Sequence, residues 1–224
     1  MPSTSETLKA FYDALLERYG SQSWWPGETP FEVMVGAVLT QNTNWKNVEK
    51  AIANLKSKCL LDPFAIARLP RETLAEVIRP AGYYNVKAAR LLNLVGVLVD
   101  GYDGDLEAFF SGSLDSLRER LVSIKGIGLE TADSIILYAA GRPTFVIDTY
   151  TFRVTVRHGL IFPEASYDDL KCLFEDNLPS DADLFNEYHA LLVQVGKTHC
   201  RKRPKCNGCP LERFPHEVET EGGF

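Results

Sequence analysis

The sequence predicts an all-α protein with two helical lobes, and three observations support this fold class. Apolar residues recur at helical spacing along most of the chain, as Leu8, Phe11 and Leu15 do near its start. No segment combines the alternating pattern of a strand with a convincing hairpin turn. The chain has 224 residues, of which 45% are hydrophobic, which is enough for one large domain or for two small lobes that share a cleft.

The first helix is predicted over Thr4–Arg18, with Ser5 as its N-cap. It is followed by Trp24 and Trp25, which directly precede Pro26-Gly27 and therefore cannot lie inside a regular element. Two interpretations of the tryptophan pair remain open. The pair forms a packed loop that covers the core, or it forms one wall of an aromatic pocket.

The second helix, Pro30–Leu39, has almost no polar residue and is therefore predicted to be buried. It leads into a polar loop, Thr40–Asn44, and a new helix is expected to start at about Trp45. Further helices are predicted over Val48–Lys58, Phe64–Leu69, Glu72–Ile78, Leu91–Val99, Leu106–Phe110 and Leu114–Leu121.

A tight turn, Ile124–Gly128, separates two helical segments. Gly126 and Gly128 flank one apolar residue, and glycine lets another part of the backbone approach closely. The next helix is expected to begin near Leu129, so its free backbone N–H groups point into the turn and can hold a phosphate. An ordinary helix–helix turn is the alternative interpretation.

The helix after this turn is expected to end at Gly141 and Pro143, and a short apolar run then leads to Asp148. An Asp in such a place is commonly a helix N-cap. A buried element is expected directly after it, followed by helices over Tyr167–Glu175 and Ala182–Gly196.

These segments carry a family resemblance. The string Leu-x-x-Ile-x-Gly-Ile-Gly-x-x-Thr-Ala that begins at Leu121, together with Asp148, resembles the helix–hairpin–helix and Gly/Pro-Asp motif of the endonuclease III superfamily of DNA glycosylases. The resemblance covers nearly the whole chain. It implies that Asp148 drives cleavage of the N-glycosidic bond of a flipped-out nucleotide. The hairpin residues that it assigns to DNA binding are Lys125, Gly126, Ile127, Gly128 and Thr131.

One departure from the family pattern concerns the nucleophile. Bifunctional members carry a lysine two residues after the second hairpin glycine, and this lysine attacks the sugar to form a Schiff base. The present chain has Glu130 at that position, and Lys125 lies on the wrong side of the hairpin to replace the lysine. Because a carboxylate cannot form an imine, the resemblance implies a monofunctional glycosylase with weak or no AP-lyase activity.

Two further strings resemble the bacterial 3-methyladenine glycosylase branch of the superfamily, namely Trp24-Trp25-Pro26 and Gln41-Asn42-Thr43 followed by an aromatic residue. An N-alkylated purine is cationic and already a good leaving group, and aromatic rings bind it by stacking and cation–π interaction. The resemblance therefore implies a base pocket lined by Trp24, Trp25 and Trp45. The alternative is that all three tryptophans belong to the core.

The resemblance also assigns two residues to the DNA duplex. Gln41 matches the residue that fills the hole left by the flipped nucleotide. Lys87 belongs to the string Gly82-Tyr83-Tyr84-Asn85-Val86-Lys87-Ala88, which resembles a Gly-aromatic-Asn-x-Lys-Ala string that opens a helix near the DNA in the family, so Lys87 is expected to contact phosphate.

Five cysteines in a chain of this type suggest metal ligands or thiols rather than disulfides. Cys200, Cys206 and Cys209 resemble the loop that holds a [4Fe–4S] cluster in many endonuclease III relatives. The family's fourth cysteine would stand at position 215, where this chain has Pro215. An iron–sulfur cluster or a closed zinc site needs four ligands, so the donor set is incomplete.

Candidates for the fourth ligand are His216, His199, Cys172 and Cys59. Three outcomes remain open: a [4Fe–4S] cluster, zinc or another metal, and a metal-free loop. In each case the adjacent basic residues are expected to grip DNA phosphate, namely Arg201, Lys202 and Arg203.

The overall charge is an unfavourable feature for a DNA-binding protein. The formal net charge is −6 and the sequence pI is about 5.3, so basic residues must be segregated locally. No apolar run has transmembrane length and no signal segment is evident, so a cytoplasmic protein that binds no membrane is expected. The resemblance implies damaged double-stranded DNA as the partner, and the protein is expected to be a monomer. The central lobe is predicted over 30–132, and the other lobe over 1–29 and 133–224, with DNA bound across the cleft.

The working hypothesis is a base-excision-repair glycosylase that hydrolyses the bond to an alkylated purine of the 3-methyladenine type. One alternative is a bifunctional endonuclease III activity, with AP-lyase, on oxidised pyrimidines. The other is a DNA-binding helix–hairpin–helix module without enzymatic activity.

Overall fold

The computed structural model describes residues 2–22, 24 and 27–217, and these residues form helices and connecting turns with no strand. The all-α prediction is confirmed. The helices are α1 (Thr4–Tyr19), α2 (Pro30–Thr40), α3 (Trp45–Ser57), α4 (Pro63–Ala67), α5 (Arg71–Val77), α6 (Tyr84–Tyr102), α7 (Leu106–Phe110), α8 (Leu114–Ser123), α9 (Leu129–Ser134), α10 (Thr149–Arg157), α11 (Tyr167–Glu175) and α12 (Ala182–Thr198). A 3₁₀ turn, Arg79–Ala81, precedes α6, and a π turn, Ile135–Ala139, continues α9.

The chain forms two compact units. One contains Trp25–Arg142, and the other joins Met1–Trp24 to Pro143–Phe224. The lobe limits predicted from the sequence, 30–132 for the central lobe and 1–29 with 133–224 for the other, stay a prediction.

The first unit, Trp25–Arg142, is built around α2. Every residue of α2 from Phe31 to Leu39 is buried, because the helix has no polar face to turn toward solvent. It starts at Pro30 behind the N-cap Thr29, whose side chain accepts a hydrogen bond from the N–H of Glu32. Helices α3 and α6 and the π turn pack against it, so α2 holds the loop that follows it at a fixed place in this unit.

The second unit is built around α12, which packs against α1 and α10. The buried Tyr188 of α12 donates a hydrogen bond from its hydroxyl to the carbonyl of Leu8 in α1 (2.8 Å). Gly196 lets α10 approach closely, because a Cβ atom there would lie 2.4 Å from the ring of Tyr150. These contacts fix the start of α10, where Asp148 lies.

Two local predictions from the sequence are wrong in detail. The N-cap of α1 is Ser3 rather than Ser5, because Ser3 and Glu6 form a reciprocal capping box. The core helix expected over Leu91–Val99 is the middle of the longer helix α6, which begins at Tyr84. Within the described residues, no helix is both long and apolar enough to span a membrane.

Candidate catalytic and nucleic-acid-binding site

The predicted hairpin is present between α8 and α9. The N–H of Ile127 donates to the carbonyl of Ile124 (3.0 Å), and both isoleucine side chains are buried. Lys125 and Gly128 are exposed between and after them. Gly128 is the N-cap of α9 and provides no capping side chain, so the first N–H groups of α9 receive no side-chain acceptor from the cap.

Gly126 has the backbone conformation and the space that only glycine accepts easily. Its φ is +99°, and a Cβ atom there would lie 2.4 Å from Cγ of Arg90 in α6. Asn93, one turn further along α6, donates from Nδ2 to the carbonyl of Lys125 (2.8 Å). Helix α6 therefore contacts the hairpin through two side chains, Arg90 and Asn93.

An ion pair joins the two helices of the hairpin. Nε of Arg118 in α8 donates to Oδ1 of Asp133 in α9 (2.9 Å), and Nη2 donates to Oδ2 (3.3 Å). The Asp133 side chain is completely buried. Because a buried carboxylate needs such a partner, this pair fixes the angle between the hairpin helices.

Gln41 lies at the end of α2 and is bound to the hairpin. Its Nε2 donates to Oγ1 of Thr131 (2.8 Å) and to the carbonyl of Gly126 (3.2 Å), and its Oε1 accepts from Nη1 of Arg90. The side chain predicted to fill the duplex is therefore held within its own unit. Asn42, the next residue, is exposed and has a φ of +53°.

Two residues predicted to contact DNA are buried, and these predictions need correction. Thr131 is buried and accepts the hydrogen bond from Gln41, so its hydroxyl serves the loop and not a phosphate. The Lys87 side chain is 1% exposed, and its Nζ donates to the carbonyls of Leu39 (2.9 Å) and Ala81 (2.7 Å). Burial, with a smaller effect of the nearby Arg90 charge, lowers the pKa of Lys87 to about 8.

Tyr83 is a surface residue that the sequence reasoning missed. It is the N-cap of α6, is 72% exposed, and has a φ of +45°, which is unusual for a residue with a large side chain. Such strain is often found at binding sites. The sequence feature that could have identified Tyr83 is its position between Gly82 and the start of a helix. A large apolar side chain at such a position has no core to pack into.

The structure describes two of the three tryptophans, and these two belong to different units. Trp45, at the start of α3, is partly buried and donates from Nε1 to Oε1 of Glu49 (2.9 Å), and it lines a shallow pocket with Glu32 and Lys56. Trp24 belongs to the other unit, where Nζ of Lys197 lies 5.5 Å from its ring centroid. Trp25 lies outside the described residues. The three-tryptophan pocket stays a prediction.

Asp148 is the N-cap of α10, as an Asp in this position commonly is. Its Oδ1 accepts from the N–H groups of Tyr150 (3.0 Å) and Thr151 (2.8 Å). Its Oδ2 lies 3.8 Å from Nε2 of the buried His189 in α12, and the side chain is 13% exposed. Burial lowers the pKa of His189, although the Asp148 carboxylate opposes this effect, so the imidazole is neutral at neutral pH.

The segment that leads to Asp148 is anchored by α11. Oε1 of Glu175 accepts from the N–H of Phe145 (2.7 Å) and from the hydroxyl of Thr144 (3.1 Å). The hydroxyl of Tyr167 accepts from the N–H of Ile147 (3.3 Å). Because these backbone groups are not part of a helix, the side chains of α11 supply the partners that the backbone lacks.

The cysteine loop, residues 199–209, does not form a complete metal site. Cys200, Cys206 and Cys209 line one pocket together with His199 and His216. Burial raises the pKa of both the Cys206 and the Cys209 thiol. Within residues 2–22, 24 and 27–217, no group of three or more His, Cys, Asp or Glu side chains is arranged to hold a metal ion.

The other candidate ligands do not complete the set. Cys59, in the turn after α3, and Cys172, in α11, are both exposed. Nδ1 of His199 pairs with the carbonyl of Lys205 (3.0 Å), and Nδ1 of His216 pairs with the carbonyl of Phe214 (2.8 Å). The loop has three cysteines and Pro215 in place of the fourth, so its residues do not match the four-thiolate site of a [4Fe–4S] cluster, and the cluster predicted from the sequence is not confirmed.

Comparison with known proteins agrees with this arrangement. Residues 35–180 match the family described as HhH-GPD superfamily base excision DNA repair protein. A putative DNA repair glycosylase of Methanocaldococcus jannaschii is 49% identical over 211 residues, which cover 93% of this chain and 96% of that protein.

Two solved structures are similar. The H. pylori 3-methyladenine DNA glycosylase MagIII, bound to 1,N6-ethenoadenine, is 32% identical with a TM-score of 0.74, and the match covers 88% of this chain and 98% of that one. A trapped endonuclease III–DNA covalent intermediate is 24% identical with a TM-score of 0.81, covers 96% of each chain, and supports the fold alone. The chain therefore belongs to the HhH-GPD superfamily of base excision DNA repair proteins, as a DNA glycosylase of that superfamily.

Proposed function

We propose that this glycosylase is monofunctional and removes an alkylated purine of the 3-methyladenine type from double-stranded DNA. The observation that carries the proposal is the geometry of Asp148. One carboxylate oxygen is fixed by the start of α10, and the other lies beside a neutral imidazole and not beside a cation. A carboxylate held in this way keeps its negative charge available for a developing positive charge.

The proposed reaction is hydrolysis. The bond between C1′ and the base nitrogen breaks, and the base leaves with the electron pair, which neutralises the positive charge that alkylation placed on it. The Asp148 carboxylate stabilises the oxocarbenium-like sugar, a water molecule adds to C1′, and Asp148 accepts the proton of that water. No strong general acid is needed, because the leaving group is already cationic.

The absence of a lyase step is proposed from Glu130. This side chain is exposed in the first turn of α9, at the place where the resemblance puts the lysine nucleophile of bifunctional enzymes. A carboxylate has no nitrogen with which to form an imine, so hydrolysis ends with an intact abasic strand.

Support for an alkylated base comes from two sources. MagIII, a 3-methyladenine DNA glycosylase, is 32% identical to this chain. Trp45 offers an indole ring beside the carboxylate of Glu49, and an aromatic face is worth about 0.5–2 kcal/mol to a cationic ring. Trp24 and Trp25 remain proposed members of the same pocket.

The hairpin with Lys125 is the proposed phosphate contact, and the enzyme is proposed to act as a monomer.

The test is base release from duplex DNA that contains 3-methyladenine, beside duplex DNA that contains thymine glycol, with strand nicking scored separately. Release of the alkylated purine without nicking is expected. Asp148→Asn is expected to reduce release by about 10²–10⁴-fold. Its DNA affinity should remain, because Asn caps a helix as well as Asp does.

A bifunctional activity on oxidised pyrimidines is the second candidate, since an endonuclease III of Thermotoga maritima is 29% identical over 82% of this chain. Borohydride trapping on abasic DNA separates the two candidates, because only an imine is trapped. Release of thymine glycol with nicking and a trapped complex would show that another lysine acts as nucleophile. Base release that survives in Asp148→Asn would show that the catalytic residue is misassigned.

A further inference from the structure

The loop that the resemblance assigns to a cluster is held by an arginine. Arg157, the last residue of α10, is only 4% exposed although it carries a full charge. Its Nη1 donates to the carbonyl of Arg201 (2.7 Å), and its Nη2 donates to the carbonyl of Lys202 (3.3 Å). A guanidinium can hold two carbonyls at fixed positions because its donors form a rigid planar fork.

Arg157 also contacts Cys200 and, through its backbone carbonyl, Glu217. Its Nη1 lies 3.3 Å from Sγ of Cys200, which acts as an acceptor in this contact. Its own carbonyl accepts from the N–H of Glu217 (2.8 Å). One buried side chain and its backbone thus join α10 to the start of the cysteine loop and to Glu217 beyond the loop, which is the organising role that a bound cluster would otherwise have.

Further hydrogen bonds hold the cysteine loop closed, and none of them involves a metal ligand set. Nε of Arg153, one turn earlier in α10, donates to the carbonyl of Cys200 (3.1 Å). The N–H of Lys205 donates to the carbonyl of His199 (2.9 Å), and the N–H of Cys209 donates to the carbonyl of Cys206 (2.8 Å). At position 215, proline has no side-chain donor atom for a metal, and its carbonyl accepts from Nδ1 of His158 (2.9 Å).

The carbonyls of Arg201 and Lys202 point to Arg157, while the side chains of Arg201, Lys202 and Arg203 are exposed. The buried guanidinium therefore fixes the backbone from which three surface cations extend. Fixed cations bind phosphate with less loss of conformational entropy than mobile ones.

We propose that Arg157 holds the cysteine loop in a metal-free form and thereby presents Arg201, Lys202 and Arg203 to DNA phosphates. The part that concerns DNA rests on the proposed function, and the part that concerns the metal does not. The loop of this chain keeps its shape through hydrogen bonds to one arginine instead of through four thiolates.

The first arm of the test measures metal in the full chain. Protein purified without oxygen is analysed for iron and zinc and for the visible absorbance of an iron–sulfur cluster. Less than one tenth of an equivalent of either metal is expected, also after incubation with iron and sulfide. Four irons, or one zinc, per chain that disappear in Cys206→Ser/Cys209→Ser would overturn the proposal.

The second arm measures binding to undamaged duplex DNA at several salt concentrations. Arg157→Met is expected to lose at least tenfold in affinity, with a shallower salt dependence because phosphate contacts are lost. Arg18→Met, which removes the same charge from α1, is the control and should stay within twofold. Cys206→Ser/Cys209→Ser should also stay within twofold.

A third variant covers the case in which Arg157→Met does not fold. Arg157→Lys keeps the charge but lacks the fork, and cleavage of residues 199–209 by trypsin reports the loop directly. Faster cleavage in Arg157→Lys than in wild type is expected, with the rest of the chain intact. Equal cleavage and equal DNA affinity in both proteins would overturn the proposal. Metal analysis, binding to undamaged DNA and trypsin cleavage require no damaged base. They therefore test this proposal even if the proposed base release is not observed.

Discussion

Asp148 uses its two oxygens for different purposes. Oδ1 accepts two backbone N–H groups at the start of α10, and Oδ2 remains beside His189. The two interpretations offered by the sequence, an N-cap and a catalytic carboxylate, are therefore compatible in one side chain. The helix start gives the carboxylate its orientation, and this orientation is what the proposed reaction needs.

This division predicts how two substitutions differ in stability. Asp148→Ala removes the cap and is expected to lower the free energy of unfolding by about 1 kcal/mol, whereas Asp148→Asn keeps the cap and should change it little. Urea unfolding of both variants and wild type gives the comparison. Equal losses in both variants would mean that the two N–H contacts do not stabilise α10.

At the scale of elements, the hairpin depends on its support by α6. Gly126 must be glycine for two reasons, its positive φ and the contact with Arg90, whereas Gly128 has a φ of −91° and open space around it. The sequence showed two similar glycines, and only the structure separates their roles.

Gly126→Ala is therefore expected to lower the free energy of unfolding by at least about 1 kcal/mol and to weaken DNA binding, because the hairpin must shift. Gly96→Ala is a suitable control, since Gly96 lies inside α6 with nothing within 4 Å of its Cβ position. An alanine there should be neutral or stabilising by up to about 1 kcal/mol. Thermal unfolding and a DNA titration test both variants, and an equal effect in the two would contradict the account.

The helices and the hairpin were predictable because they depend on local pattern. Pro30–Thr40 is apolar at nearly every position, and Gly126 and Gly128 mark the turn. The partners of long polar side chains were not predictable. Lys87 has the sequence context of a surface cation, yet its Nζ binds two carbonyls that come from other segments. The same holds for Gln41 and Arg157, whose contacts join residues far apart in the chain.

At the scale of the whole molecule, a buried histidine makes stability depend on pH. His158, at the end of α10, packs with its ring centroid 4.8 Å from that of Phe11, and burial lowers its pKa to about 4. The unfolded chain has the ordinary value near 6.5, so it binds more protons than the folded chain between these values. Stability is therefore expected to fall as the pH falls from 6.5 toward 4.

His158→Gln keeps a donor for the carbonyl of Pro215 but does not titrate. Its free energy of unfolding should fall less steeply than that of wild type between pH 6.5 and pH 4. Some slope will remain, because burial also lowers the pKa of His189. Urea unfolding at a series of pH values measures both slopes, and identical slopes would show that His158 is not the cause.

The contacts of Gln41 have a consequence for the search along DNA. Three hydrogen bonds hold this side chain against Gly126, Thr131 and Arg90. If Gln41 inserts between bases, as the resemblance implies, these hydrogen bonds must first break, so each attempt carries an energetic threshold. A sound base pair, which resists opening, would not repay that cost, while a weakened pair would. On this hypothesis, the side chain stays bound to the hairpin on intact DNA and leaves it only where the base pair already opens easily.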